Sequence, residues 1–305
     1  MNTKIRTLLT MILASLLLLL AACGGSSAAG DNTASGGTIT IGSKNFTENI
    51  LLAHMIADLI EDKTDLSVVR KVNLGGSNVA WGALKNNEIQ LYPDYTGTIV
   101  ANYYQQETGT SEETLTKTKE LVEKDGLEFL APFGFNNTYT LAVTKETAEK
   151  YHLKTFSDLA KVSQGLVLGV EFEFLDREDG YPGIKKLYGM NFKDAKGMDH
   201  GIMYRSISEG ETDVTNAYST DAQIEAHNLA ILDDDKQFFP PYDAGTVIRK
   251  DTLDQYPELK EVINQLGGTI SEEDMQKLNG QVDIEGLKEE DVARDFLIEK
   301  GLISG

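Results

Sequence analysis

Cysteine is almost missing: Cys23 is the single cysteine in 305 residues, so no disulfide framework, cysteine-ligated zinc site or catalytic thiol is available. Histidine is nearly as scarce, and His54, His152, His200 and His227 lie too far apart for a local metal motif. The run Asp233-Asp234-Asp235 lacks the spaced oxygen ligands and the glycine of a calcium loop and reads as a solvated turn, so no metal is expected. Positive charge is in deficit: 28 Lys and Arg stand against 48 Asp and Glu, a net charge of −20. That balance argues against nucleic acid or an anionic membrane surface as a partner. Gly75-Gly76 before Ser77 matches neither the phosphate loop nor the dinucleotide fingerprint, and no nucleophile elbow surrounds a serine. Neither a cofactor nor an enzyme activity is expected.

Long apolar runs are missing too, with one exception at the start. Lys4 and Arg6 precede the stretch Leu8–Leu20, about 13 residues against the roughly 20 that a membrane-spanning helix needs. This reads as a signal peptide over 1–22, removed before the fold matters; losing Lys4 and Arg6 takes away two positive charges and leaves −22. The ending Leu20-Ala21-Ala22-Cys23 resembles the lipobox of bacterial lipoproteins, which implies that Cys23 is lipidated and becomes the first residue of an extracytoplasmic, membrane-anchored chain. The alternative, a buried thiol, finds no core around it. Residues 23–37 are rich in Gly, Ser, Ala and Thr and read as a flexible tether.

From Thr38 on, strand-like and helix-like segments alternate. Thr38–Ile41, Val68–Val72, Ile89–Tyr92, Tyr139–Val143, Leu166–Val170 and Asp213–Asn216 read as strands. A helix capped by Thr47 carries Ile50, Leu51, Met55, Ile56, Leu59 and Ile60 at helical spacing, and further helices fall at 79–85, 157–162, 202–208, 258–265, 272–278 and 287–300. The alternation predicts an α/β fold built from parallel βαβ units.

Five short motifs then occur in order: G-S-K-N-F-T-E-N from Gly42, L-Y-P-D-Y-T-G-T from Leu91, F-N-N-T-Y from Phe135, A-Y-S-T-D from Ala217 and D-D-K-Q-F-F-P-P-Y-D from Asp234. Together they resemble the glycine betaine, carnitine and choline-binding lipoproteins of ABC-type osmoprotectant importers, over essentially the whole chain after residue 37. The resemblance implies a two-lobed α/β fold of the type II periplasmic-binding-protein kind, with a ligand cleft between lobes joined by a two-stranded hinge. Lobe one is expected at 38–140 plus the helical return segment 243–305, and lobe two at 141–242. It implies an aromatic cage at Tyr95, Tyr139, Tyr218 and Tyr242, with Lys44, Thr98 and Arg177 on the ligand carboxylate and Ser43 and Asn137 as lesser neighbours.

A cage suits the chemistry, because a trimethylammonium group has no N–H to donate. Ring faces offer its methyls apolar contact and its charge a negative quadrupole, about 0.5–2 kcal/mol per contact. Arg177 is suited to forked pairing with a carboxylate and Lys44 to a point-charge contact, although Arg177 can also pair with Glu173 or Glu178. Some relatives have Gln in place of Ser43, or Asp in place of Thr98, the latter associated with choline; this chain keeps Ser43 and Thr98. Choline, without a carboxylate, is therefore expected to bind less well than betaines, while carnitine and proline betaine remain candidates. The implied partners are a betaine-type ligand and a membrane permease driven by an ATPase, with the chain a monomer. A choline- or other small-cation-binding lipoprotein is the alternative within binding proteins; an enzyme would need a convergent base and nucleophile that no spacing supplies.

Overall fold

The computed structural model describes residues 36–305; the expected signal peptide and Cys23 lie outside the described residues. Among the described residues ten strands form two five-stranded sheets. The first contains β1 (Thr38–Gly42), β2 (Ser67–Lys71), β3 (Leu91–Tyr95), β4 (Leu127–Phe129) and β10 (Ala244–Arg249), in the order β2-β1-β3-β10-β4. The second contains β5 (Tyr139–Thr144), β6 (Val167–Glu171), β7 (Asp194–Met198), β8 (Val214–Tyr218) and β9 (Leu229–Leu232), in the order β7-β6-β8-β5-β9. The two orders are equivalent, each with one out-of-sequence strand in fourth place. The α/β, two-lobed architecture is the expected one.

The sheets are mixed and not wholly parallel. β1 runs parallel to β2 and β3, and β6 to β7 and β8, as βαβ units should. β10 is antiparallel to β3 and β4, and β5 is antiparallel to β8 and β9. The reason lies in the crossings. β5 and β10 each follow a segment that has just come over from the other lobe, so each starts at the cleft and runs away from it. β1, β3, β6 and β8 run toward the cleft and end there. The crossing segments pair with each other: Asn136 bridges Asp243 antiparallel, Asn137 N–H donates to the Tyr242 carbonyl at 3.0 Å, and Ala244 N–H to that of Phe135 at 3.2 Å.

Two local expectations shift. The third strand spans Leu91–Tyr95, running on through Pro93 instead of stopping at Tyr92. Pro93 has no N–H to give, yet none is required: β1 meets β3 only at Ile41 and Leu91, and opposite Pro93 the carbonyl of Thr246 faces away to Leu130 N–H at 2.9 Å. The first helix spans Thr47–Lys63, but its N-cap is Phe46, and the Thr47 hydroxyl bonds Asp283 at the end of the helix Glu272–Asp283. That first helix is buried on nearly every side because the helices Glu258–Asn264, Glu272–Asp283 and Glu289–Glu299 cover what the sheet does not. Leu51, Leu52, Met55, Ile56 and Leu59 fill this core, at about 1.5–3 kcal/mol for each large side chain removed from water. Among the described residues no helix is long and apolar enough to cross a membrane.

Candidate ligand-binding site

Strand direction places the site. The carboxyl ends of β3 and β8 deliver Tyr95 and Tyr218, the amino end of β5 delivers Tyr139, and Tyr242 lies two residues before β10. Tyr139 and Tyr218 are directly opposed in the β5–β8 register, as Tyr95 and Ala244 are in β3–β10. Lys44 lies just beyond the end of β1. Thr98 opens a π-helical turn, Thr98–Tyr103, entered through Gly97. Gly97 is demanded by proximity: a Cβ there would lie 2.6 Å from the Pro241 carbonyl oxygen and 2.8 Å from the Tyr242 ring. Gly97→Ala is expected to destabilise the protein by about 1–3 kcal/mol, measured as a shift in the urea unfolding midpoint, by forcing Tyr242 off its seat.

One cavity is lined by Lys44, Phe46, Tyr95, Thr98, Asn137, Tyr139, Glu173, Arg177, Tyr218 and Tyr242, so eight of the nine expected ligand-site positions converge. Its volume is about 10 Å³, room for roughly one water and not for a trimethylammonium group, so a group of that size fits only if the walls move apart. Tyr139 and Tyr218 lie 4.8 Å apart, centroid to centroid, and Tyr242 meets Tyr139 edge-on at 5.5 Å. Ser43 is the exception. Its buried hydroxyl accepts from Asn73 N–H at 2.7 Å and donates to the Lys44 carbonyl at 2.8 Å, holding the loop beneath Lys44.

Phe46 is an aromatic wall that sequence reasoning passed over. Its ring stacks on Tyr218 at 5.8 Å with only 3° between planes, and on Tyr95 at 6.2 Å. The signal lies in S-K-N-F, where the sequence marks Phe46 as part of a motif but gives it no role.

The cations have internal partners. Lys44 Nζ lies 2.6 Å from Asp94 Oδ1 and 5.0 Å from the Tyr95 ring centroid. Asp94 also accepts from the Tyr103 hydroxyl at 3.0 Å, from the Tyr92 hydroxyl and from Tyr95 N–H at 2.9 Å. Tyr103 in turn stacks on Trp81 at 4.3 Å. Arg177 donates from Nε to Asp179 Oδ1 at 2.8 Å and from Nη2 to Oδ2, where the Tyr242 hydroxyl also donates at 2.8 Å. Its remaining N–H groups reach across the cleft to Ser77 Oγ at 3.0 Å and Thr98 Oγ1 at 3.3 Å, and to Glu173 at 3.4 Å. Glu173 is thus the partner foreseen from sequence, Asp179 is the stronger one, and Glu178 makes no such bond. Burial disfavours the Asp179 carboxylate, but the Arg177 charge and hydrogen bonds outweigh it and hold its pKa below the usual range.

A buried acid, Glu48, ties the site together from below. Its carboxylate accepts from the Tyr95 hydroxyl at 2.6 Å, Asn137 Nδ2 at 2.7 Å and Thr220 Oγ1 at 2.6 Å. Burial raises its pKa, more than those three bonds lower it. On the outer side Glu173 accepts from Ser77 N–H at 2.7 Å, at the first turn of the helix Ser77–Lys85, and a Cβ on Gly76 would lie 2.7 Å from the same carboxylate. A second cavity, of about 320 Å³, lies between the lobes beside this contact, with Asn45, Asn78, Glu171, Glu173, Asp199 and His200 in its wall.

The chain matches the family model for the substrate binding domain of ABC-type glycine betaine transport systems over residues 37–299. It is 37% identical over 276 residues to the carnitine transport binding protein OpuCC of Listeria monocytogenes, covering 89% of this chain and 90% of that protein. It is 36% identical over 265 residues to the ergothioneine transport permease/ergothioneine binding protein EgtU of Helicobacter pylori, covering 87% of this chain but 48% of that protein, so it spans about half of that relative. Among solved structures, the crystal structure of a glycine betaine/carnitine/choline ABC transporter superposes with a TM-score of 0.68 at 38% identity, covering 87% of this chain and all of that one. The chain therefore belongs to the OpuAC family, the substrate-binding domains of ABC-type glycine betaine transport systems.

Proposed function

We propose that this protein captures a betaine-type quaternary ammonium solute, such as glycine betaine, carnitine or proline betaine, and presents it to an ABC permease. The trimethylammonium group sits among Tyr95, Tyr139, Tyr218, Tyr242 and Phe46, and the carboxylate turns to Lys44, Thr98, Asn137 and Arg177. The observation that carries this reading is the convergence of the four tyrosines, Lys44 and Arg177 on one cavity from stretches far apart in the chain. Lobe one, 38–138 with 243–305, and lobe two, 139–242, close over the solute by hinge motion; the boundary falls two residues earlier than the sequence implies because β5 begins at Tyr139 in the second sheet. The protein works outside the cytoplasm as a monomer, held to the membrane by a lipid on Cys23. Its family is one of non-enzymatic binding proteins, so its product is a loaded closed form, not a converted solute.

Titration calorimetry of the purified protein with glycine betaine, carnitine, proline betaine and choline tests the reading; failure of every quaternary ammonium compound to bind would sink it. Phe46→Ala is expected to weaken glycine betaine about tenfold, the scale of one ring contact. Choline is still expected to bind less well, but the physical reason is narrower than the sequence implies. Lys44 and Arg177 are already neutralised by Asp94 and Asp179, so choline forfeits a carboxylate contact without leaving two bare buried cations. A second reading follows from the 320 Å³ cavity, which shares Glu173 with the cage and gives room for a betaine with a bulkier substituent. Ergothioneine, named for the Helicobacter pylori relative, is such a compound and belongs in the same titration.

A further inference from the structure

His200 stands behind the aromatic wall, at the start of the helix His200–Ser208, with its side chain 10% exposed. Its Nδ1 faces Glu171 Oε1 at 3.3 Å and its Nε2 faces Asp221 Oδ1 at 3.4 Å. A neutral imidazole carries one N–H, so it can donate to one of these carboxylates and must turn a lone pair toward the other. Only the doubly protonated ring satisfies both. The far oxygens of the two acids are also engaged: Glu171 Oε2 accepts from the Tyr218 hydroxyl and from Asn216 Nδ2, and Asp221 Oδ2 from the Tyr204 hydroxyl and from Tyr218 N–H. Both ends of Tyr218, its backbone and its phenol, therefore hang on carboxylates that His200 holds.

We propose that His200, kept as an imidazolium, is a positioning residue for the cage: through Glu171 and Asp221 it fixes Tyr218 in the orientation that lies parallel to Phe46. The proposal rests on the cage reading above for its consequence in binding. The groups packed on the ring come from several elements. Glu171 ends β6, Tyr218 ends β8 and Asp221 follows it; Tyr204 lies 5.4 Å away on His200's own helix, and Phe46 lies 6.4 Å away on the facing lobe. Asp283 of the first lobe also faces this group; burial raises its pKa, which its bond to Thr47 and the His200 charge only partly offset. No cation other than His200 bonds Glu171 or Asp221 among the described residues, so a neutral ring leaves this acidic cluster uncompensated.

Burial opposes the imidazolium, but Asp221 and Glu171 outweigh it and set the His200 pKa well above the ordinary histidine value. A folded-state pKa above the unfolded one stabilises the fold fully below the unfolded value of about 6.5, and that stabilisation is lost as pH rises through the folded value. Cage order should follow the same course. The cage tyrosines do not interfere, since each has its pKa pushed well above 10.0 by burial.

The test is nitrogen-detected NMR of the histidine rings in the purified protein at neutral pH, with H200Q assigning the signal. A doubly protonated His200 is expected, and a neutral ring there overturns the proposal. The Tyr218 ring signal should shift when His200 is replaced; an unmoved Tyr218 also overturns it, whether or not any solute binds. In titrations with tetramethylammonium, which has no carboxylate, H200Q should bind about tenfold more weakly and lose the fall in affinity that the native protein shows as pH rises above about 6.5. Equal affinity in a folded H200Q reduces the residue to a structural one. If H200Q does not fold, E171Q replaces it, and native-like affinity in that variant is the overturning result. If the native protein binds no quaternary ammonium compound, the cage reading fails, while the ring charge and the Tyr218 shift still decide the role of His200.

Discussion

Tyr218→Ala is expected to weaken glycine betaine binding roughly a hundredfold, about 3 kcal/mol, the size of a central aromatic anchor. The ring is the middle of the aromatic assembly, parallel to Phe46 on one lobe and 4.8 Å from Tyr139 on its own sheet. Its removal opens both neighbours to water and strips Glu171 of a buried donor. Tyr218→Phe separates the two effects. It keeps the ring face and loses only the hydroxyl bond, so a loss of about tenfold or less is expected. Calorimetric titration of both variants decides the matter. Unchanged affinity in Tyr218→Ala would remove Tyr218 from the site, and an equally large loss in Tyr218→Phe would move the weight from the ring face to the hydroxyl.

Asp94→Ala carries the second large effect, this time on stability. Asp94 is fully buried and gathers Lys44, two tyrosine hydroxyls and the Tyr95 N–H. Deleting it leaves a buried ammonium and the Tyr95 N–H without an acceptor, while the Tyr103 hydroxyl can still turn to the Ser77 carbonyl at 3.0 Å, and a cost of about 3–5 kcal/mol is expected. Urea unfolding followed by circular dichroism reads it. Lys44→Met is expected to cost less, because Asp94 retains its three other donors. A Lys44→Met variant as unstable as Asp94→Ala would show that the ion pair, and not the wider set of bonds to Asp94, carries the stability. Asp94→Asn should fall between them, keeping a carbonyl acceptor but no charge.

The aromatic positions were legible because each sits inside a short motif at the end of a strand, where residue type and strand direction coincide. Tyr95, Tyr139, Tyr218 and Tyr242 could be named one motif at a time. What surrounds them could not. Glu48 meets Thr220 across 172 positions, and Arg177 meets Ser77 across 100, contacts that exist only once the lobes face each other. Asp179 was closer to hand, two residues after Arg177, yet Glu178 between them offered the same charge, and only the backbone decides which carboxylate the guanidinium meets. His200 carried no spacing signal, since its partners come from a strand and a turn 29 and 21 positions away on either side. In the fold, the βαβ pattern was readable and the reversed strands β5 and β10 were not. Their direction is set by where the chain enters each sheet, and no alternation of apolar residues encodes that.

The small cavity between the lobes has a kinetic meaning. On the proposed reading the walls widen to take a solute and close over it, and it then leaves no faster than the lobes separate, so the dissociation rate and the rate of delivery share one ceiling, the frequency of opening. Substitutions in the proposed cage change the contacts made to the solute, while substitutions at the contact of Ser77 with Glu173 change how long the lobes stay together. Both routes can raise affinity, but a tighter latch does so by slowing opening, and would hold solute well yet surrender it slowly.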